Sequence, residues 1–187
     1  RLIETAQAAG VERIVLLSGR GEPEAQAAEA VVQASGLTGT IVRCARLMQN
    51  FSENYFVEGI QAGELALPVG DVPEPFVDAD DIADVVTAAL TQAGHGGQLY
   101  EEAVREMAEA TGRPIQYTQV DGAVFFGGLR DAGLPAEIVW LLEYLFTTVL
   151  DGRNAWLTDG VGRALGRPPR DFRDYARATA ASGVWDR

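Results

Sequence analysis

Ser18-Gly19-Arg20-Gly21 stands between an apolar run and an Ala-rich one. A strand, a Gly-x-Gly turn and a helix are the parts of a dinucleotide-binding unit, whose glycines let a pyrophosphate approach the backbone. That fingerprint needs a third glycine, and Glu24 holds its position here. Glu22 adds a second carboxylate at a helix N-terminus, where N–H groups and the dipole otherwise attract phosphate. Both acids suit a helix start, with Pro23 near the first helical position. The stretch therefore reads as a loop of a nucleotide-binding fold other than its phosphate loop.

Other reactive side chains are few. Cys44 lacks a nearby His or helix start to lower its thiol pKa, and reads as a small buried residue. One cysteine and one histidine exclude an internal disulfide and a Cys/His zinc site within this sequence. His95, in "AGHGGQ", reads as a solvated surface histidine. Asp78, Asp80, Asp81 and Asp84 lack the Gly turn and final Glu of a calcium loop, and Asp78 and Asp80 suit a helix N-terminus. Asn50-Phe51-Ser52 fits the glycosylation pattern, which is discounted because nothing indicates secretion. The formal net charge of −12 disfavours direct nucleic-acid binding. The one basic stripe, Arg163, Arg167, Arg170, Arg173 and Arg177, is interrupted by Asp171 and Asp174 and reads as a solvated helix face with internal ion pairs. All 15 basic residues are arginine, which with the abundant Ala and Gly points to a GC-rich coding bias.

The elements that must position these groups follow from periodicity. The 187 residues, 47% hydrophobic and 22% charged, suit one globular domain. The longest apolar run, "IVWLLEYLFTTVL" at 138–150, is too short to span a bilayer and carries Glu143. No secretory pattern appears in residues 1–10, and the single cysteine suits a reducing cytoplasm. Residues 1–9 read as a helix ended by Gly10, with Leu2, Ile3, Ala6 and Ala9 on one face. "RIVLLS" at 13–18 reads as a strand buried on both faces of a parallel sheet. A helix at 24–34 is expected to turn Ala27, Val31 and Ala34 inward, and 38–44 reads as the next strand. Residues 46–62 read as mostly helical and 79–90 as a helix. A strand is expected to begin in 95–101, followed by a helix over 101–110 and a strand over 114–120. Two further helices and a helical end complete the chain. The alternation argues for α/β with a parallel sheet. The sequence opens inside a helix, so the first βαβ units are expected before Arg1.

The segments 10–18, 34–43, 48–51 and 76–83 follow, in order, "G-V-x-R-hydrophobic-V-x-L-S", "ASGL-x-x-T-I-hydrophobic-R-P", "M-x-N-F" and "hydrophobic-V-D-x-x-D-I-A". With "ATGRPIQY" and "LGRPPRDFRDYA" near the end, the chain resembles the NmrA-like branch of the atypical short-chain dehydrogenase/reductases. The resemblance implies a Rossmann-like doubly wound parallel sheet, incomplete at the N-terminus, with a small, mainly helical C-terminal lobe. It divides the chain into a nucleotide-binding part, 1–100, and a substrate-binding lobe, 101–187. It implies NAD or NADP as cofactor and allows a homodimer, with no direct nucleic-acid or membrane partner. Three departures stand out. The glycine-rich first strand is absent. A family strand and loop of about ten residues, within ordinary loop lengths, is expected between Tyr100-Glu101 and Glu102-Ala103, so the sequence reads as joined pieces of a longer protein. Cys44 replaces the proline of "R-P".

Open α/β sheets bind ligands beyond the C-terminal ends of their strands. The resemblance places Leu17, Ser18 and Gly19 beside the nicotinamide ribose, and runs Cys44, Ala45 and Arg46 along the nicotinamide. It puts Met48, Asn50, Phe51 and Tyr55 on the substrate side, although apolar residues at that spacing also suit a core. Phe125, Phe126, Trp140, Tyr144 and Phe146 form an aromatic wall of the second lobe, by default core. Conventional relatives use Ser-Tyr-Lys, whose tyrosine is a general acid. This sequence has no lysine, and the helix that would carry the Tyr reads "EPEAQAAEAVV". The expected function is an NAD(P)H-dependent oxidoreductase acting on a hydrophobic aromatic or quinone-like molecule without that triad. A non-catalytic NAD(P)-sensing regulator is the alternative, and a sugar-nucleotide epimerase a weaker one.

Overall fold

The computed structural model describes residues 1–53, 56–102 and 116–186. In chain order the elements are α1 (Leu2–Ala8), β1 (Arg13–Gly19), α2 (Pro23–Gln33), β2 (Thr38–Cys44), β3 (Arg46–Leu47), α3 (Phe56–Ala62), β4 (Glu64–Leu67), β5 (Phe76–Val77) and α4 (Ala79–Thr91). They continue with β6 (Leu99–Glu102), β7 (Gln116–Gln119), α5 (Gly122–Asp131), α6 (Ala136–Tyr144), α7 (Gly160–Leu165) and α8 (Phe172–Ala181). A 3-10 turn spans Met48–Phe51, so 46–62 is less helical than its composition implies. β6 reaches Glu102, which corrects the helix expected from 101; the rest of that helix and the start of the next strand lie outside the described residues.

The chain gathers into two compact units, each discontinuous in sequence. The first comprises Arg1–Met48, Pro75–Glu106 and Trp156–Phe172, and the second Gln49–Glu74, Met107–Ala155 and Arg173–Arg187.

In the first unit, β1, β2 and β6 form a parallel sheet in that order, and β3 pairs in parallel with β5. Helix α2 makes the crossover from β1 to β2 and packs on both. β-branched Thr40, Ile41 and Val42 make β2 a good central strand, and all three are buried. The core gathers Val42, Cys44, Val77, Ile82, Val85, Tyr100 and Val161. Asp78 starts α4 as expected: its carboxylate accepts the Asp80 amide at 2.9 Å. Helical spacing then turns Ile82, Val85, Ala88 and Ala89 inward.

Four readings of this unit need correction. β1 is not buried on both faces: among the described residues it is an edge strand, and Leu17 is 56% exposed. Helix α2 turns Glu29 and Val32 inward, while Ala27, Val31 and Ala34 are exposed. Its buried face is anchored by an ion pair rather than by small apolar side chains. Glu29 accepts Ser18 Oγ at 2.5 Å and Arg43 Nε at 2.9 Å on one oxygen, and the second Arg43 nitrogen on the other. His95 is buried, not solvated; its Nδ1 lies 2.8 Å from the Tyr100 hydroxyl, and its carbonyl accepts Thr40 Oγ1 at 2.8 Å. Finally, Arg167 and Arg170 do not lie on a solvated face. They join Asp81, which is fully buried on α4, and Asp84 one turn on.

In the second unit β4 pairs in parallel with β7, Glu64 opposite Gln116 and Leu67 opposite Gln119. Gly59 makes the turn from α3 into β4 feasible: a Cβ there would lie 2.6 Å from the Glu64 carbonyl oxygen. Asp121 caps α5 by accepting the amides of Ala123 and Val124. The aromatic wall divides. Phe126 and Phe146 are buried, each edge-on to Phe125, whereas Trp140 is 65% exposed and stacks on Tyr144.

Candidate functional site at the strand ends

β1 and β2 finish side by side, Gly19 opposite Cys44. The Arg20 amide donates to the Cys44 carbonyl at 2.9 Å and carries the pairing one residue further. Strand alternation sends Ser18 towards α2, where Glu29 takes its hydroxyl, and Leu17 outward. Gly21, at φ 79°, then turns the chain into α2, a conformation that costs glycine little.

Gly19 is needed for a different reason. A Cβ there would lie 2.2 Å from Glu22 Oε1 and 2.7 Å from Glu22 Cδ. The Glu22 carboxyl is thus folded onto the bare backbone of the strand end. Burial raises its pKa above the ordinary 4.5; the Arg46 guanidinium acts against that rise and the Glu24 carboxylate adds to it. Replacing Gly19 by Ala is expected to push this carboxyl into water and return its titration midpoint towards 4.5. Gly19 has an ordinary φ and the displaced atoms end a flexible side chain, so stability should change by less than about 1 kcal/mol. A carboxyl NMR titration and a thermal melt of the variant check both.

Beside these residues Arg20 is buried; its Nη1 donates to the Trp156 carbonyl at 2.9 Å, and its guanidinium sits 4.7 Å over the Trp156 ring. The Trp156 side chain is largely exposed. Cys44 is 5% exposed and belongs to the core, which suits packing and not nucleophilic attack. Ala45 and Arg46 are half-buried, and Arg46 opens β3 opposite Phe76. The first unit therefore brings Leu17, Ser18, Gly19, Cys44, Ala45 and Arg46 to one end of its strands.

The described substrate-side residues share the 3-10 turn at Met48–Phe51, which crosses from the first unit to the second. Met48 is fully buried in the first unit. In the second, Asn50 is half-buried, and Phe51 is buried 5.5 Å from the Phe56 ring, its carbonyl accepting Trp185 Nε1 at 2.7 Å. Tyr55 lies outside the described residues. The second unit also holds an open cleft of about 330 Å³ lined by Gln49, Ser52, Glu53, Tyr175, Thr179 and Ser182. Tyr175 donates to Ser52 Oγ at 2.6 Å there.

Sequence reasoning missed the contact of Glu22 with Gly19 and the roles of Arg20 and Glu29. Glu29 left one signal, a lone acid within an Ala/Val helix face. The other two depend on partners that no local pattern reveals. Among the described residues no group of three or more His, Cys, Asp or Glu side chains could hold a metal, and no helix is long and apolar enough to cross a membrane.

No family model matches the chain. It is 29% identical over 201 residues to an NAD(P)H azoreductase of Xenophilus azovorans, covering 97% of this chain and 70% of that protein. Among solved structures it is similar to a nucleoside-diphosphate-sugar epimerase of Staphylococcus aureus, with TM-score 0.79 and 20% identity, over 94% of this chain and 68% of that one. It is also similar to an NADPH-dependent quinone oxidoreductase of Escherichia coli, with TM-score 0.78 and 20% identity, over 95% and 70%. These likenesses agree with the parallel sheet and its flanking helices: the fold is α/β and Rossmann-like.

Proposed function

We propose that this chain belongs to an NAD(P)H-dependent oxidoreductase of the NmrA-like short-chain type, acting on a hydrophobic aromatic or quinone-like small molecule. The observation that carries the reading is the alignment of Gly19 with Cys44 at adjoining strand ends, the place where open α/β sheets take ligands. The likeness to an azoreductase and a quinone oxidoreductase supports an acceptor of two electrons. A reducing cytoplasm is the proposed setting, which a single buried cysteine suits.

The residues present fit the nicotinamide end of the cofactor. Gly19 brings no side chain of its own, Leu17 offers exposed apolar surface, and the segment from Cys44 to Arg46 runs alongside. Ser18 is committed to Glu29, so its backbone and not its hydroxyl is free to face a ribose. The carboxylates of Glu22 and Glu24 do not suit a pyrophosphate, so the fit is to the nicotinamide and its ribose alone. When bound, the reduced cofactor supplies a hydride. The chain supplies position and a dry floor: Cys44, Val42 and Val77 are buried beneath the strand ends. Of the substrate side, Asn50 and Tyr55 carry polar groups, while Met48 and Phe51 are buried. With no lysine in the sequence and no tyrosine on α2, a Ser-Tyr-Lys triad is no part of the proposal.

The test is fluorescence titration of the full-length protein with NADH and NADPH, followed by a panel of quinones, azo dyes and aromatic ketones. Saturable binding, with cofactor oxidation only when an acceptor is present, is expected. Binding with no turnover on any acceptor would instead support a sensor. No binding of either nucleotide overturns the reading.

A further inference from the structure

Two-electron reduction of a quinone needs a hydride and a proton, and the reaction proposed above leaves the proton without a source. The inference here rests on that reading. We propose that Glu22 is the proton donor of this site and delivers its carboxyl proton to the reduced oxygen of a quinone-like acceptor.

Three observations carry it. The Glu22 carboxyl lies on the α-carbon of Gly19, at the strand end assigned to the nicotinamide ribose, in space that any other residue at position 19 would fill. The side chain is half-buried, so its carboxyl is partly withdrawn from water without being sealed from it. Its charged surroundings suit a reversible acid. Arg46 stabilises the carboxylate left behind, Glu24 favours the protonated form, and burial favours that form most. Of the other ionisable neighbours, the Cys44 thiol is buried in the core and the Arg20 guanidinium is engaged by Trp156. An acid is most useful when its pKa approaches the working pH, and a raised carboxyl moves in that direction.

The step balances. A hydride from the reduced nicotinamide cofactor bonds to one carbonyl oxygen of the quinone, and the conjugated π electrons move onto the other carbonyl oxygen. The O–H bond of Glu22 breaks as a new O–H bond forms on that oxygen. The carboxylate is then reprotonated from water through its exposed side. The quinone is reduced to hydroquinone and the nicotinamide is oxidised.

The test compares wild type with Glu22→Gln and Glu22→Asp in the full-length protein. Carboxyl carbon NMR of the nucleotide-free wild type, with Glu22→Gln identifying the resonance, is expected to give a Glu22 midpoint above 4.5. Quinone turnover by the wild type should fall as pH rises through that midpoint. Glu22→Gln should lose turnover by about 100-fold, the usual worth of a general acid, with unchanged NADPH affinity and no such pH limb. Glu22→Asp should recover part of the rate. A midpoint at or below 4.5, or undiminished turnover by Glu22→Gln, overturns the proposal and leaves the oxidoreductase reading intact. A wild type that turns over no acceptor overturns both, and is distinguished because the parent enzyme itself is then silent.

Discussion

Replacing Asp81 by alanine is expected to destabilise the protein by about 3–5 kcal/mol, the range for removing one partner of a buried ion pair. Asp81 is fully buried on α4 and is reached there by two arginines. It accepts the Arg170 amide at 2.6 Å, Arg167 Nη1 at 2.8 Å and Arg170 Nη1. These bonds fasten the segment between α7 and α8 onto α4, over the core that holds Val85 and Val161. Without the carboxylate, two guanidinium groups lose one of their acceptors and the Arg170 N–H loses the acceptor described above, and the cost is desolvation as well as the lost attraction. Asp84 also contacts both arginines but is largely exposed, so Asp84→Ala should cost far less. Urea denaturation of the two variants checks the contrast; equal midpoints would show that burial does not set the value of these pairs.

The second large effect is expected at Glu29. Glu29→Gln removes a charge that receives Ser18 and both ends of the Arg43 fork, and should cost about 3 kcal/mol by the same reasoning. The loss should depend on pH. Hydrogen bonding by Arg43 holds the Glu29 carboxyl below the ordinary 4.5 in the folded protein; burial opposes this and Ser18 assists it. A depressed folded-state pKa gives stability that is fully present above the unfolded value and is lost as pH falls through the folded one. The difference in denaturation midpoint between wild type and Glu29→Gln should therefore be flat at neutral pH and shrink below 4.5. A difference that persists unchanged into acid would mean that the glutamate acts through shape alone.

What the sequence disclosed and what it hid divide along a physical line. Elements whose cause is local were readable: β2 from its β-branched run, α4 from its apolar spacing, and the start of α4 from Asp78. Residues whose setting depends on a distant partner were not. His95 sits in a glycine-rich turn that reads as solvated, but Thr40, far back in the chain, and Tyr100 enclose it. Helix α2 looks apolar on its Ala/Val face, but its buried position is claimed by Glu29, because Arg43 waits on the neighbouring strand. The arginines near the end look like a solvated stripe until α4 is seen to offer Asp81. At the candidate site, the strand ends that bring Gly19 and Cys44 together followed from the α/β pattern. The carboxyl resting on Gly19 did not, since it is a contact of side chain with backbone across a turn that no apolar periodicity marks.

The interleaving of the two units bears on how the chain folds. The first unit draws on Arg1–Met48, Pro75–Glu106 and Trp156–Phe172, so its last part emerges from the ribosome after much of the second unit. Val161, at 0% exposure in its core, and the arginines that cover α4 arrive only then. During synthesis, Val42 and Val85 must wait half-covered, and contacts of such long sequence separation are slow to close. The nascent chain is expected to gain protease resistance in one late step once residues 156–172 have emerged, and a chain released before them should be aggregation-prone.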